Sequence, residues 1–114
     1  MKNDSTDKVV LKISGGLLLI DPMDILYCLA DSSYCWIYTN DGEKIHLGMT
    51  LKTLQDMLDW PYFIRVGQST VVNIHYVRSI HSKSKKLMLN DGTELDYTYK
   101  FGSLKENIKN WLCM

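Results

Sequence analysis

The sequence predicts an all-β fold, mainly antiparallel, with two short helices. Three observations carry that expectation. The chain breaks into about ten short runs of β-branched, aromatic and other apolar residues, the length and composition of strands. Turn residues separate them, at Gly15-Gly16, Asn40-Asp41-Gly42 and Asp91-Gly92. Only two segments, near residues 51–58 and 103–112, repeat apolar side chains at helical spacing.

The elements follow in order. Residues 9–13 and 17–20 are apolar runs joined at Gly15-Gly16, a first hairpin. Asp21-Pro22-Met23-Asp24 can start one helical turn, because proline has its φ preset and needs no donor there. Residues 25–30 and 34–39 are strands joined at Asp31-Ser32-Ser33. Asn40-Asp41-Gly42 makes a tight turn into a strand at 43–47, with Gly42 tolerating positive φ. Thr50 can cap the first helix. Leu51, Leu54 and Leu58 form its apolar face, Lys52, Gln55, Asp56 and Asp59 the other, and Pro61 ends it. Strands are expected at 63–66, 70–72, 77–82, 86–90 and 93–97. Ser103-Leu104-Lys105-Glu106 has the form of a capping box and is expected to start the last helix, with Leu104, Ile108, Trp111 and Leu112 buried. Residues 1–6 are polar and expected to be a disordered tail, leaving 7–114 as the domain.

Composition narrows the function. A chain of 114 residues suits one domain. No segment approaches the roughly 20 apolar residues of a membrane span, and nothing resembles a signal peptide, so a cytoplasmic protein without membrane contact is expected. Cys28, Cys35 and Cys113 are an odd count without C-x-x-C spacing; Cys28 and Cys35 lie in apolar runs and are expected to be buried free thiols. His46, His75 and His81 have no metal-ligand spacing. There is no glycine-rich phosphate loop and no nucleophile motif, so neither enzyme, metal nor cofactor is expected. Net charge is zero, but unevenly spread. Residues 1–60 carry five lysines against nine carboxylates, and residues 61–114 carry eight cations against four. The basic half permits nucleic-acid binding without requiring it.

That half holds the most specific motif. Phe63, Arg65, Ser69, Val72 and Asn73 occupy the spaced positions of a signature that resembles the LytTR family of bacterial DNA-binding domains. Gly67 and Gln68 fall where that family commonly has a His-Arg pair. The helix at 49–58, the Leu87-Met88-Leu89-Asn90-Asp91-Gly92-Thr93-Glu94-Leu95 hairpin and the Thr98-Tyr99-Lys100 turn resemble the family in the same order. The similarity runs over about residues 7–112. It implies an elongated, mainly antiparallel β fold that presents loops to DNA in place of a recognition helix. It also implies sequence-specific binding of duplex DNA in transcriptional regulation, on promoters with paired direct repeats that two copies occupy. Family members sit behind a phosphorylatable receiver domain in two-component response regulators. The chain has no room for a receiver, so the expectation is a stand-alone regulator or the DNA-binding part of a longer response regulator or membrane-anchored one.

Three loops carry the contacts that the resemblance implies: Ser32-Ser33-Tyr34, residues 65–69, and Thr98-Tyr99-Lys100. Within them the candidate DNA-binding residues are Ser33, Tyr34, Arg65, Gln68, Ser69, Tyr99 and Lys100. Gln68 offers a donor and an acceptor side by side, which suits adenine N6 and N7, against the plainer role of a solvated loop amide. Lys100 suits a phosphate or a guanine edge. Arg65 is expected to point away from the core, with a structural ion pair as its competing role. Ser69 can donate to a phosphate or to its own turn. Tyr34 can meet sugar or phosphate, against a half-buried strand tyrosine. Tyr99 stands where the family often has arginine. Asn73 is expected to work locally, bonding backbone in the turn that follows. The alternative reading is a protein-interaction module that keeps the fold without specific DNA binding; Gly67, Tyr99 and zero net charge support it.

Overall fold

Alternation of apolar side chains sets the layering. The computed structural model describes residues 8–113, so the expected tail at 1–6 lies outside the described residues. The described residues form ten strands and two helices, all strand pairs being antiparallel. β1 (Val9–Ile13) and β2 (Gly16–Ile20) make a separate hairpin, with Val9 opposite Ile20. After one 3-10 turn at Pro22–Asp24, started by the Asp21 carboxylate accepting from the Met23 N–H at 2.9 Å, come β3 (Ile25–Asp31), β4 (Tyr34–Thr39) and β5 (Lys44–Leu47). β6 (Phe63–Arg65) and β7 (Thr70–Asn73) complete a five-stranded sheet of order β5-β4-β3-β7-β6. β8 (Val77–His81), β9 (Lys86–Leu89) and β10 (Glu94–Asp96) form a third sheet of order β10-β9-β8.

The five-stranded sheet is the middle layer. On β3, Cys28 enters a cluster with Val9, Leu11 and Ile20 of the hairpin and Leu51 and Leu54 of α1 (Leu51–Met57). Its neighbour Tyr27 enters a second cluster with Leu87, Leu89 and Leu95 of the third sheet and Leu104 of α2 (Phe101–Leu112). Adjacent strand residues point to opposite faces, so one strand supplies both cores. This is why β3 reads as a continuous apolar run. Asn73 is fully buried at the end of β7. Its side chain accepts from the His75 N–H at 3.0 Å, the local role expected of it, and also donates to the Ile25 carbonyl at 3.0 Å, 48 residues away, which ties β7 to the start of β3. Cys28 and Cys35 are buried free thiols.

Thr50 caps α1 as expected, its hydroxyl accepting from the Thr53 N–H at 3.2 Å, and the helix stops at Met57, ahead of Pro61. Two expectations for α2 are corrected. The helix starts at Phe101, with Lys100 at the N-cap and no side-chain cap, so Ser103 is already inside the first turn. The preceding N–H groups of Thr98 and Tyr99 are held by the Val66 carbonyl, and the chain turns into the helix directly from there. Leu112 is 67% exposed and not buried. The packed stripe runs Leu104, Ile108, Trp111, and one further residue rotates the side chain by about 100° away from it.

Candidate nucleic-acid interface

The chain between β6 and β7 makes a short loop, residues 66–69, closed by the Val66 N–H donating to the Thr70 carbonyl at 3.0 Å. Residues two apart on a strand share a face. Arg65 therefore lies on the side of Phe63, facing α1, and the expectation that it points away from the core is corrected. Its guanidinium reaches around the loop. Nε donates to the Gly67 carbonyl at 2.7 Å, Nη2 to the Gln68 carbonyl at 2.5 Å, and Nη1 to Oε1 of Gln55 on α1 at 2.8 Å. No ion pair is formed by Arg65 among the described residues. The planar fork of arginine fits this task, since its donors are fixed relative to one another.

Two further segments are tied to the loop. The Ser69 carbonyl accepts from the Ala30 N–H at 2.8 Å, next to the β3–β4 turn. That turn carries Ser32 with φ 59°, in the left-handed region; Ser33 is exposed, and Tyr34, the first residue of β4, is 49% exposed. The Tyr34 ring leans on His46 at 5.3 Å between centroids. On the other side, the Val66 carbonyl accepts from both Thr98 N–H and Tyr99 N–H, at 3.0 and 3.1 Å. Gly67 makes this approach possible: a Cβ there would lie 2.5 Å from Thr98 Oγ1.

Gln68, Ser69 and Tyr99 are exposed and line one open groove of about 690 Å³, with Leu29 also in its lining. Tyr99 also lines a second groove, of about 380 Å³, with Arg65 and Trp111. Lys100 is exposed at the start of α2. The structure thus brings Gln68, Ser69 and Tyr99 together and sets Lys100 next in chain. Ser33 and Tyr34 stand on the adjoining turn, with Tyr34 lining a different hollow beside His46. Arg65 lies beneath the loop.

Two acidic groove residues were missed in the sequence. Glu94 and Asp96 flank buried Leu95 on β10, so both face outward, into the groove. Strand alternation signals their exposure; their approach to Gln68 depends on sheet packing 26 residues away in the chain. Asp96 accepts from Lys86 Nζ at 2.6 Å, and its hydrogen bond and charge hold the Lys86 ammonium above the ordinary lysine range. Thr98, in the third of the loops named from the resemblance though not among the candidate residues, lines the same groove. Among the described residues no group of three or more His, Cys, Asp or Glu side chains could hold a metal ion, and no helix is long and apolar enough to cross a membrane.

Comparison with known proteins agrees with this architecture. No curated protein matches the chain. A solved LytTr DNA-binding domain from a Bacillus cereus protein shares 17% sequence identity, covers 89% of this chain and 95% of its own, and superposes with a TM-score of 0.72, a likeness of fold. The family model described as the LytTr DNA-binding domain matches residues 15–108. With the model spanning most of the sequence, the chain belongs to the LytTR family of DNA-binding domains.

Proposed function

We propose that this domain binds duplex DNA sequence-specifically, through loops and not through a helix, in the regulation of transcription. The observation that supports it most is the tying of three exposed segments into one rim. Ser69 is bonded to Ala30 at the β3–β4 turn, and Val66 to Thr98 and Tyr99 before α2. Such a rim offers polar groups at fixed spacing, which base readout needs, and cations beside them, which phosphates attract. Gln68 is the base reader in this reading, Lys100 the phosphate contact, and Ser33, Tyr34, Ser69 and Tyr99 flank them. Arg65 acts by holding the loop. The DNA partner is a promoter with paired direct repeats, occupied by two copies, and the setting is a response regulator of a two-component system in the cytoplasm.

Gel shifts against promoter fragments of its own genome, over a range of salt, test this. A cognate fragment should be retarded at lower protein concentration than random DNA, and both affinities should fall as salt rises while the cognate advantage persists. A protein that discriminates among no fragments would favour the second reading, a protein-interaction module on the same fold. The two carboxylates facing the groove, Glu94 and Asp96, favour that reading, because they repel phosphate.

A further inference from the structure

Gly67 and Thr98 are 31 residues apart in sequence and share one small volume. A Cβ on residue 67 would meet Thr98 Oγ1 at 2.5 Å, the Thr98 backbone nitrogen at 3.3 Å and the Thr98 Cβ at 3.5 Å. The threonine hydroxyl therefore sits where a side chain on residue 67 would begin. Thr98 is held there by its N–H bond to the Val66 carbonyl, backed by the neighbouring bond from Tyr99. The residue is exposed and lines the same groove as Gln68, Ser69 and Tyr99. Among the described residues, its hydroxyl makes no hydrogen bond. A hydroxyl can both donate and accept, and it serves a phosphate oxygen or a base edge equally well.

We propose that Thr98 is a further DNA-contacting residue, with Gly67 the positioning residue that admits it. The third loop lends its hydroxyl to the signature loop, so one compact reading surface is assembled from two distant parts of the chain. This rests on the DNA-binding reading above.

The test compares equilibrium affinities on a panel of cognate, variant and random duplexes, with melting temperatures alongside. Thr98→Val keeps the branched shape and removes the hydroxyl. It should bind about tenfold more weakly, with an unchanged melting temperature, because the hydroxyl bonds nothing among the described residues. Loss on every sequence assigns the hydroxyl to phosphate, and loss confined to the cognate site assigns it to a base; either supports the contact. Gly67→Ala should weaken binding and lower the melting temperature, since the Thr98 hydroxyl must turn away or the loops part. Gly67→Ala with Thr98→Ala should regain the melting temperature without the affinity. Gly67→Ser with Thr98→Ala returns a hydroxyl from the other loop and should bind more tightly than the alanine pair. Wild-type affinity in Thr98→Val overturns the contact, as does equal binding by the serine and alanine pairs. Wild-type protein that binds no duplex overturns the proposed function and this contact with it. Wild-type binding with an unaffected Thr98→Val overturns the contact alone.

Discussion

Arg65 Nη2 donates to the backbone carbonyl of Gln68 at 2.5 Å, so the cation of the signature motif is bonded to the residue beside it that faces the groove. The same guanidinium holds Gly67 and, through Gln55, fastens the loop to α1. Its charge is directed at protein carbonyl groups. A hydrogen bond to a charged group contributes about 1.5–3 kcal/mol, which suits a structural clamp.

Arg65→Ala should therefore lower folding stability by about 1–3 kcal/mol in denaturant melts and weaken binding on all sequences, because the loop loses its set conformation. The slope of log K against log salt should stay where it is. A slope reduced by about 0.9 would show that the guanidinium meets a phosphate after all. Arg65→Lys should not restore the loop, since one ammonium cannot span three acceptors set at these angles.

Lys100→Gln should do the reverse. The side chain is exposed and caps nothing, so stability should change by less than about 0.5 kcal/mol. Salt titration of DNA binding should show the slope lowered by about 0.9, the share of one phosphate contact. An unchanged slope would remove Lys100 from the interface.

Gln68→Ala separates base reading from general attraction. The cost should be about 1–3 kcal/mol at the cognate site and little on random DNA. Folding stability should hold within about 0.5 kcal/mol, because the bond from Arg65 goes to the Gln68 backbone and survives the change. Equal losses on cognate and random duplexes would rule out direct readout by this side chain.

The cysteines offer a check on the fold that needs no DNA. Burial pushes the Cys28 and Cys35 thiols up, Cys35 to about 11, and both side chains are shut off from solvent, while Cys113 is exposed. A thiol reagent at neutral pH should modify one cysteine in the native protein, at 113, and the other two only after denaturation. Rapid labelling of Cys28 or Cys35 in the native state would contradict the packing of the first cluster.

The strands were legible because their signals are local. Alternation along β4, with Cys35, Ile37 and Thr39 buried between more exposed residues, and Gly42 at φ 91° in the following turn, can both be read from a few neighbouring residues. The site was legible only in part. Gln68, Ser69 and Tyr99 could be placed on loops, and the structure puts them in one groove. Arg65 could not be understood without Gln55, ten residues back across a helix. Gly67 read as a missing side chain until Thr98 was seen to fill its space. The start of α2 was misplaced for a related reason. A capping pattern at Ser103 is a local preference, and the Val66 carbonyl, which holds the chain two residues before Phe101, lies in the loop after β6.

β3 gives its alternate side chains to two different cores. The clusters are separate, yet they are the two sides of a single wall. Neither can melt and leave the other intact, because the strand that frays on one face is also lost from the other. The domain should unfold in one step, as a unit. Damage in the β1–β2 hairpin, remote from the rim, should then reach Ser69 by way of β3, through the very strand whose Ala30 holds that residue in place.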